Sequence, residues 1–256
     1  MTPAAKLRAK LLDLAIRGKL VAQDPNDEPA EELLKRIFAA KTGGSRSCAT
    51  AMVGSRVPRD RIGRDASTRR PHGRAGSPLP AALPPPIPSE EQPFALPKGW
   101  VWCRFADVLN YIRPDGYIVK CEEYCNRYET PVLTAGLSFI LGYTNETDGH
   151  FRASKENPVV IFDDFTTSTQ WVDFEFKVKS SAMKILEPCC RDLVDMKYLF
   201  FAIKIVRYTP STHSRQWIDK FSKFPFALPP LAEQKRIVAK VEALLAACEK
   251  LKGAGA

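Results

Sequence analysis

Histidine is scarce in this chain: His72, His150 and His213 are the only three, and they are scattered along 256 residues. Long apolar runs are missing as well. The stretch up to Leu20 is broken by Lys6, Arg8, Lys10, Asp13, Arg17 and Lys19, far short of the roughly 18 consecutive apolar residues that a membrane span needs. Nothing has the layout of a signal peptide, so the chain is expected in the cytoplasm. The seven cysteines form an odd number without a framework of spacings, which suits a reducing compartment. Cys121-x-x-x-Cys125 and Cys189-Cys190 are the only metal candidates; neither repeats nor has histidines close by, so no metal is expected. There is no G-x-x-x-x-G-K-[ST] loop for a nucleoside triphosphate and no G-x-G-x-x-G turn. Asn157-Pro158-Val159-Val160 starts like the motif of amino-methylating DNA enzymes, but the second proline and the aromatic ring are absent. No cofactor is therefore expected on this chain.

Hydrophobic residues make up 45% of the sequence, enough for a sizeable core. The formal charge is +9, unevenly spread. From Lys41 to Pro88 nine basic residues face Asp60 and Asp65, whereas Leu96 to Pro230 holds 17 Lys/Arg and 16 Asp/Glu. Most of the excess thus falls in a stretch rich in Arg, Gly and Pro, without hydrophobic periodicity, that reads as a linker over 41–92. Such charge supports nucleic-acid binding only weakly.

Two regions carry helical seams. Leu7, Leu11, Leu14, Gly18 and Val21 recur at spacings of 4, 3, 4 and 3, and Ile237, Val241, Leu244, Cys248 and Leu251 do the same. This is the a/d pattern of a coiled coil, which wants a partner helix. Glu233, Lys235, Arg236, Lys240, Glu242, Glu249 and Lys250 lie outside the second seam. Pro229 and Pro230 mark its start. A second N-terminal helix is predicted over Glu28–Phe38, after the Asp24–Asp27 turn. Between the seams, strands are predicted at Trp100–Trp102, Pro131–Thr134, Pro158–Phe162, Val172–Val178 and Met183–Leu186, and a helix over Leu193–Val206. In the Val172–Val178 strand, Val172, Phe174, Phe176 and Val178 should point inward, with Asp173, Glu175, Lys177 and Lys179 outward.

The wording of three segments goes further than their periodicity. Leu228-Pro229-Pro230-Leu231-Ala232-Glu233-Gln234-Lys235-Arg236-Ile237-Val238 resembles the junction between a target-recognition domain and a conserved helix in type I restriction-modification specificity subunits. LPKGWVWCRFADV, from Leu96, resembles the entry to such a domain, and LRAKLLDLAIRGKLVAQDPNDEPAEELLKRI, from Leu7, resembles the N-terminal region of one subclass. The resemblance implies an α+β fold. A conserved helical region over 1–40 and the linker lead to one target-recognition domain with a mixed sheet over 93–230, and a coiled-coil helix follows over 231–256. It also implies a non-catalytic subunit that binds double-stranded DNA and docks methyltransferase subunits and restriction (motor) subunits. S-adenosylmethionine, ATP and Mg²⁺ would then sit on those partners. Family members usually have two recognition domains, so this chain reads as a half-length form. Such a form could pair as a homodimer on an interrupted palindrome.

Base contacts are expected from polar loop tips. Thr134, Thr144, Asn145 and His150 form a first group, Asp164, Thr166, Thr167, Ser168 and Gln170 a second, and His213, Ser214, Arg215 and Gln216 a third. Arg215 suits guanine, Gln216 or Asn145 adenine, and Lys155 a phosphate. The helix-seam residues Leu7, Leu11, Leu14, Ile237, Val241, Leu244, Cys248 and Leu251 are the partner candidates. Two other readings stand beside this one. The chain could be a truncated, non-directing assembly fragment or a spare recognition cassette. Alternatively Asp115, Glu175 and Lys177 could imitate a Mg²⁺-dependent nuclease, although the alternating strand explains Glu175 and Lys177 as solvent-facing.

Overall fold

A computed structural model describes residues 3–42, 83–134, 138–210 and 215–253. Helix α1 (Pro3–Ile16) starts at a proline, which lacks only a hydrogen bond that the first turn would not make. It ends at Gly18, whose φ is +66°. Gly18 N donates to Ala15 O and Lys19 N to Leu14 O, a Schellman closure. A side chain at 18 would bring its Cβ to 2.5 Å from Pro97 Cγ, so glycine is required on two counts. Helix α2 (Ala30–Thr42) opens with Glu31 and Glu32, and its first N–H is capped by the Gly99 carbonyl at 2.8 Å.

Strand β1 (Val101–Arg104) runs into a one-turn helix α3 (Phe105–Val108) and strand β2 (Leu109–Ile112). Then follow β3 (Thr130–Leu133), β4 (Ile140–Thr144), β5 (Val159–Asp163), β6 (Thr169–Val172), β7 (Lys177–Val178) and β8 (Met183–Pro188). Helix α4 (Met196–Ile205), the short α5 (Gln216–Asp219), β9 (Pro225–Leu228) and the long α6 (Leu231–Gly253) complete the chain. The α+β class expected from the sequence is what the strands and helices form. β2-β8-β5-β6 make an antiparallel sheet, β4-β3-β7 a mixed one in which β3 and β7 are parallel, and β1 pairs with β9.

The antiparallel sheet is covered on both faces, and β5 shows why its sequence is apolar throughout. Val160 and Phe162 belong to the larger core with the helices, while Val159 and Ile161 belong to a second core with Leu133, Phe176 and Val178. A strand alternates faces with period two, so burial on both sides removes the polar half of the pattern. The β1–β9 ladder, from Val101↔Leu228 to Arg104↔Pro225, brings the domain's entry and exit side by side.

One predicted strand is corrected. Val172–Val178 divides into the end of β6 and the start of β7, which lie in different sheets. The crossing between sheets breaks the parity: Phe174 is 37% exposed, whereas Lys177 is fully buried. The seams are also used differently from their spacing. Ile237 and Val241 are fully buried in this chain's own core, and Leu11 is buried in it too, because α1 packs against α4 and α6. Leu7 is 53% exposed and Leu14 half-buried, and Ala15 and Ile16 carry the packing in their place. Leu244 and Cys248 are half-buried, and the Leu251 side chain falls outside the described residues. Arg8 and Glu249 form an ion pair between α1 and α6.

The first turn of α6 is polar and buried. Glu233, 1% exposed, accepts a 2.9 Å hydrogen bond from Trp100 Nε1. Gln234, fully buried, accepts from Asp195 N at 2.9 Å and donates to Pro229 O at 3.0 Å. Burial pushes the Glu233 carboxyl above its ordinary value of 4.5, against the Trp100 hydrogen bond and Arg236, which pull it down. A raised folded-state pKa means that the folded chain holds the proton more tightly than the unfolded one. Stability from this group is complete below pH 4.5 and declines as pH rises through the folded value. Glu233→Gln keeps an acceptor for Trp100 without the charge. Urea unfolding at about pH 4 and about pH 7 should show the variant gaining on the wild type as pH rises. Glu233→Ala, which strands the indole N–H, should lose about 1–3 kcal/mol at both.

Candidate nucleic-acid interface

The exposed polar residues at one end of the sheets rest on a buried polar scaffold. The β5–β6 turn is built by Asp163: its carboxylate accepts from Phe165 N at 3.2 Å, from Thr166 N at 2.9 Å and from the Thr166 hydroxyl. Thr167 adopts φ +56°, a left-handed conformation that costs a β-branched residue about 1–2 kcal/mol and persists only where neighbours enforce it. Here Thr167 N donates to Asp163 O and Asp163 N to Ser168 O, both at 2.9 Å.

Asp164 ties this turn to the rest. Its Oδ2 lies 3.1 Å from Lys184 Nζ, with the two side chains 3% and 7% exposed. Its Oδ1 accepts from Trp217 N at 2.9 Å. Lys184 also donates to Ser181 O at 2.7 Å. Gln216, fully buried, accepts from the Tyr208 hydroxyl at 2.6 Å. The turn after β5, the segment around Ser181 and the start of α5 are thereby held together. Thr134 belongs to this end, since Lys179 N donates to Leu133 O just before it.

Of the predicted contact residues, Thr166, Ser168, Gln170 and Arg215 are exposed, and Thr134 and Thr167 are half-buried. Three are corrected. Thr144 is 1% exposed, Asp164 2% and Gln216 not at all, and each is hydrogen-bonded within the chain. They hold the loops instead of reaching outward. His213 and Ser214 lie outside the described residues.

The first group is split by the structure. In the β3–β4 hairpin Thr144 pairs with Thr130, at the opposite end from Leu133. Asn145 and His150 therefore sit away from Thr134, and Lys155 precedes β5 whereas Thr166 follows it. Asn145 and Lys155 are exposed there; His150 is half-buried, with Nε2 donating to the Glu146 carbonyl and Nδ1 4.0 Å from Glu175. This end has its own buried charge. Glu146 accepts from Lys120 N at 2.7 Å and Cys121 N at 2.8 Å, and pairs with Lys177 at 2.7 Å. Burial raises the Glu146 carboxyl, but the hydrogen bonds from Lys177 and the two backbone N–H groups leave it below its ordinary value. Lys177, also donating to Asp148 O at 2.8 Å, is committed to this pair. Glu175 is exposed, and Asp115 pairs with Arg113 at the surface, 3.2 Å away. Among the described residues no group of three or more His, Cys, Asp or Glu could hold a metal ion, and no helix is long and apolar enough to cross a membrane.

The scaffold residues Asp163, Lys184 and Glu146 were not singled out from the sequence as functional, and Lys177 only under the nuclease reading. A signal for Lys184 existed: it interrupts the apolar strand Met183–Leu186, where a charge must find a partner.

Residues 97–254 match the family of the type I restriction modification DNA specificity domain. The chain is 45% identical over 130 residues to the type I restriction enzyme EcoR124I/EcoR124II specificity subunit of Escherichia coli, covering 50% of this chain and 32% of that protein. It is 28% identical over 271 residues to the EcoAI specificity subunit of Escherichia coli, covering 96% of this chain and 40% of that one. The chain thus spans less than half the length of these relatives. Among solved structures, the HsdS subunit from Thermoanaerobacter tengcongensis aligns over 64% of this chain and 42% of its own, at 20% identity and a TM-score of 0.45.

The Asp164–Lys184 pair makes a direct prediction. Asp164→Ala leaves a buried ammonium without its counter-ion and Trp217 N without an acceptor. Urea denaturation should show a loss of about 3–5 kcal/mol, against under about 0.5 kcal/mol for Ser168→Ala on the same turn.

Proposed function

Because the chain belongs to the type I restriction-modification DNA specificity domain family, we propose that it is the sequence-reading, non-catalytic component of such a complex. It binds double-stranded DNA and directs methyltransferase and restriction subunits to their target. One observation carries this reading: the exposed side chains of Thr166, Ser168 and Arg215 sit on loops stiffened from below by Asp163, Asp164, Lys184 and Gln216. Pre-organised polar tips lose little conformational freedom on binding, which is what base discrimination needs. Arg215 is the guanine reader on this face, and Lys155 a phosphate contact on the opposite end. S-adenosylmethionine, ATP and Mg²⁺ belong to the partner subunits.

One recognition domain lies between α1–α2 and α6, so two copies together would read the two halves of an interrupted palindrome. The half-buried Leu244 and Cys248 on the far half of α6 offer the contact. Light scattering on the chain with its methyltransferase subunit tests this: two copies of the chain per complex are expected, and a single copy refutes the pairing.

Sequencing of methyl marks made by the cognate methyltransferase, with and without this chain, tests the directing role. Marks at one sequence are expected only with the chain present. Their absence would favour a non-directing assembly fragment, and DNA breaks with Mg²⁺ would favour a nuclease. Arg215→Ala should weaken target binding by about 10- to 100-fold, in line with roughly 1–3 kcal/mol for a bidentate base contact, and relax preference at one position. Unchanged affinity and preference would remove Arg215 from the interface.

A further inference from the structure

A cavity of about 850 Å³ lies between α1, the end of α4 and β9, away from the polar turn of β5 and β6. Its floor is apolar, with Phe94, Trp102, Ile205, Phe224 and Phe226. Its rim is cationic. Lys6 and Lys10 come from α1, Arg17 from the turn after it and Arg207 from the segment after α4, and Asp13 is the one carboxylate among them. Arg17 is occupied, at 2.9 Å from Asp13 and 4.8 Å from the Phe94 ring centroid. Lys6, Lys10 and Arg207 are exposed.

Three features here are unrelieved among the described residues. Lys6 and Lys10 are one helical turn apart, a like-charge spacing that destabilises a helix. On the floor Phe94 and Phe224 are only half-buried, leaving apolar surface uncovered by the described residues. Trp102, 8% exposed, has an indole N–H without a hydrogen-bond partner among the described residues, and a buried donor in that state is destabilising.

We infer that this groove docks an acidic, apolar segment of a partner polypeptide, its carboxylates on Lys6, Lys10 and Arg207 and its apolar side chains on the floor. Charge decides the occupant. The chain's own residues 43–82 contain eight arginines against Asp60 and Asp65, the same sign as the rim. A single-stranded nucleic acid would match the rim with its phosphates, but its bases need free ring faces, and Trp102 and Phe226 are 8% and 3% exposed. A helix with apolar groups on one face and carboxylates beside them satisfies floor and rim together. This is separate from DNA reading and does not depend on it.

The test uses the full chain and a fluorescein-labelled amphipathic peptide with leucine and glutamate at helical spacing. Fluorescence anisotropy should show binding that Lys6→Glu/Lys10→Glu weakens by roughly tenfold or more, while melting temperature is kept. Ala9→Trp, which fills the rim from an exposed position, should do the same. The indole N–H resonance of Trp102, assigned by its loss in Trp102→Phe, should move on binding. The inference fails if the peptide does not bind, if a lysine-for-glutamate peptide or a single-stranded oligonucleotide binds better, or if neither rim variant changes the affinity. No DNA target enters the experiment, so its outcome stands apart from that of the methylation assay.

Discussion

The arrangement depends on a polar contact in an apolar setting: the first turn of α6, where Glu233 receives Trp100 and Gln234 bridges Asp195 and Pro229. These two side chains link the start of β1, the N-cap of α4 and the end of β9. Asp195 in turn caps α4 by accepting from Lys197 N and Tyr198 N. Tyr198, fully buried, donates to the Ala227 carbonyl in β9. The helix that leaves the domain is thus fixed in direction by hydrogen bonds inside the core, each needing one partner in one place. Apolar packing alone tolerates sliding; these bonds do not.

That contact also marks where sequence reasoning reached its limit. The seam of α6 was legible as spacing, but Ile237 and Val241, read as contacts for a partner helix, are buried in this chain's own core. Glu233 read as a residue outside the seam, because periodicity assigns a carboxylate to solvent and has no knowledge of an indole more than a hundred residues earlier. Lys177 was misplaced for a related reason. Strict alternation is valid only while a strand stays in one sheet, and the crossing from β6 to β7 was not visible in the run of residues. The strands of β5 and β8 and the body of α4 follow from local chemistry and were legible.

For the candidate interface, residue type located the polar turns but not their division of labour. Asp164, Gln216 and Thr144 look as suitable for base contact as Thr166 or Arg215. What separates them is burial, which depends on partners distant in the chain: Lys184 and Trp217 for Asp164, Tyr208 for Gln216. The loops therefore have two layers, a buried one that sets their shape and an exposed one that is free to vary chemically. Exposed residues on such a base tolerate substitution cheaply, whereas the layer beneath does not.

The β1–β9 ladder has a consequence for how such a domain changes over time. Its two strands place Arg104 beside Pro225, and partners across an antiparallel pair are about 5 Å apart. Of the chain between those residues, α4 packs against α1 and α6 and belongs to their frame, and the strands before it form an insert whose ends are already closed. The entropy of closing a loop grows only with the logarithm of its length. A longer, shorter or different set of strands can occupy that position while α1 and α6 keep their mutual geometry, provided that α4 and its Asp195–Gln234 bond are retained.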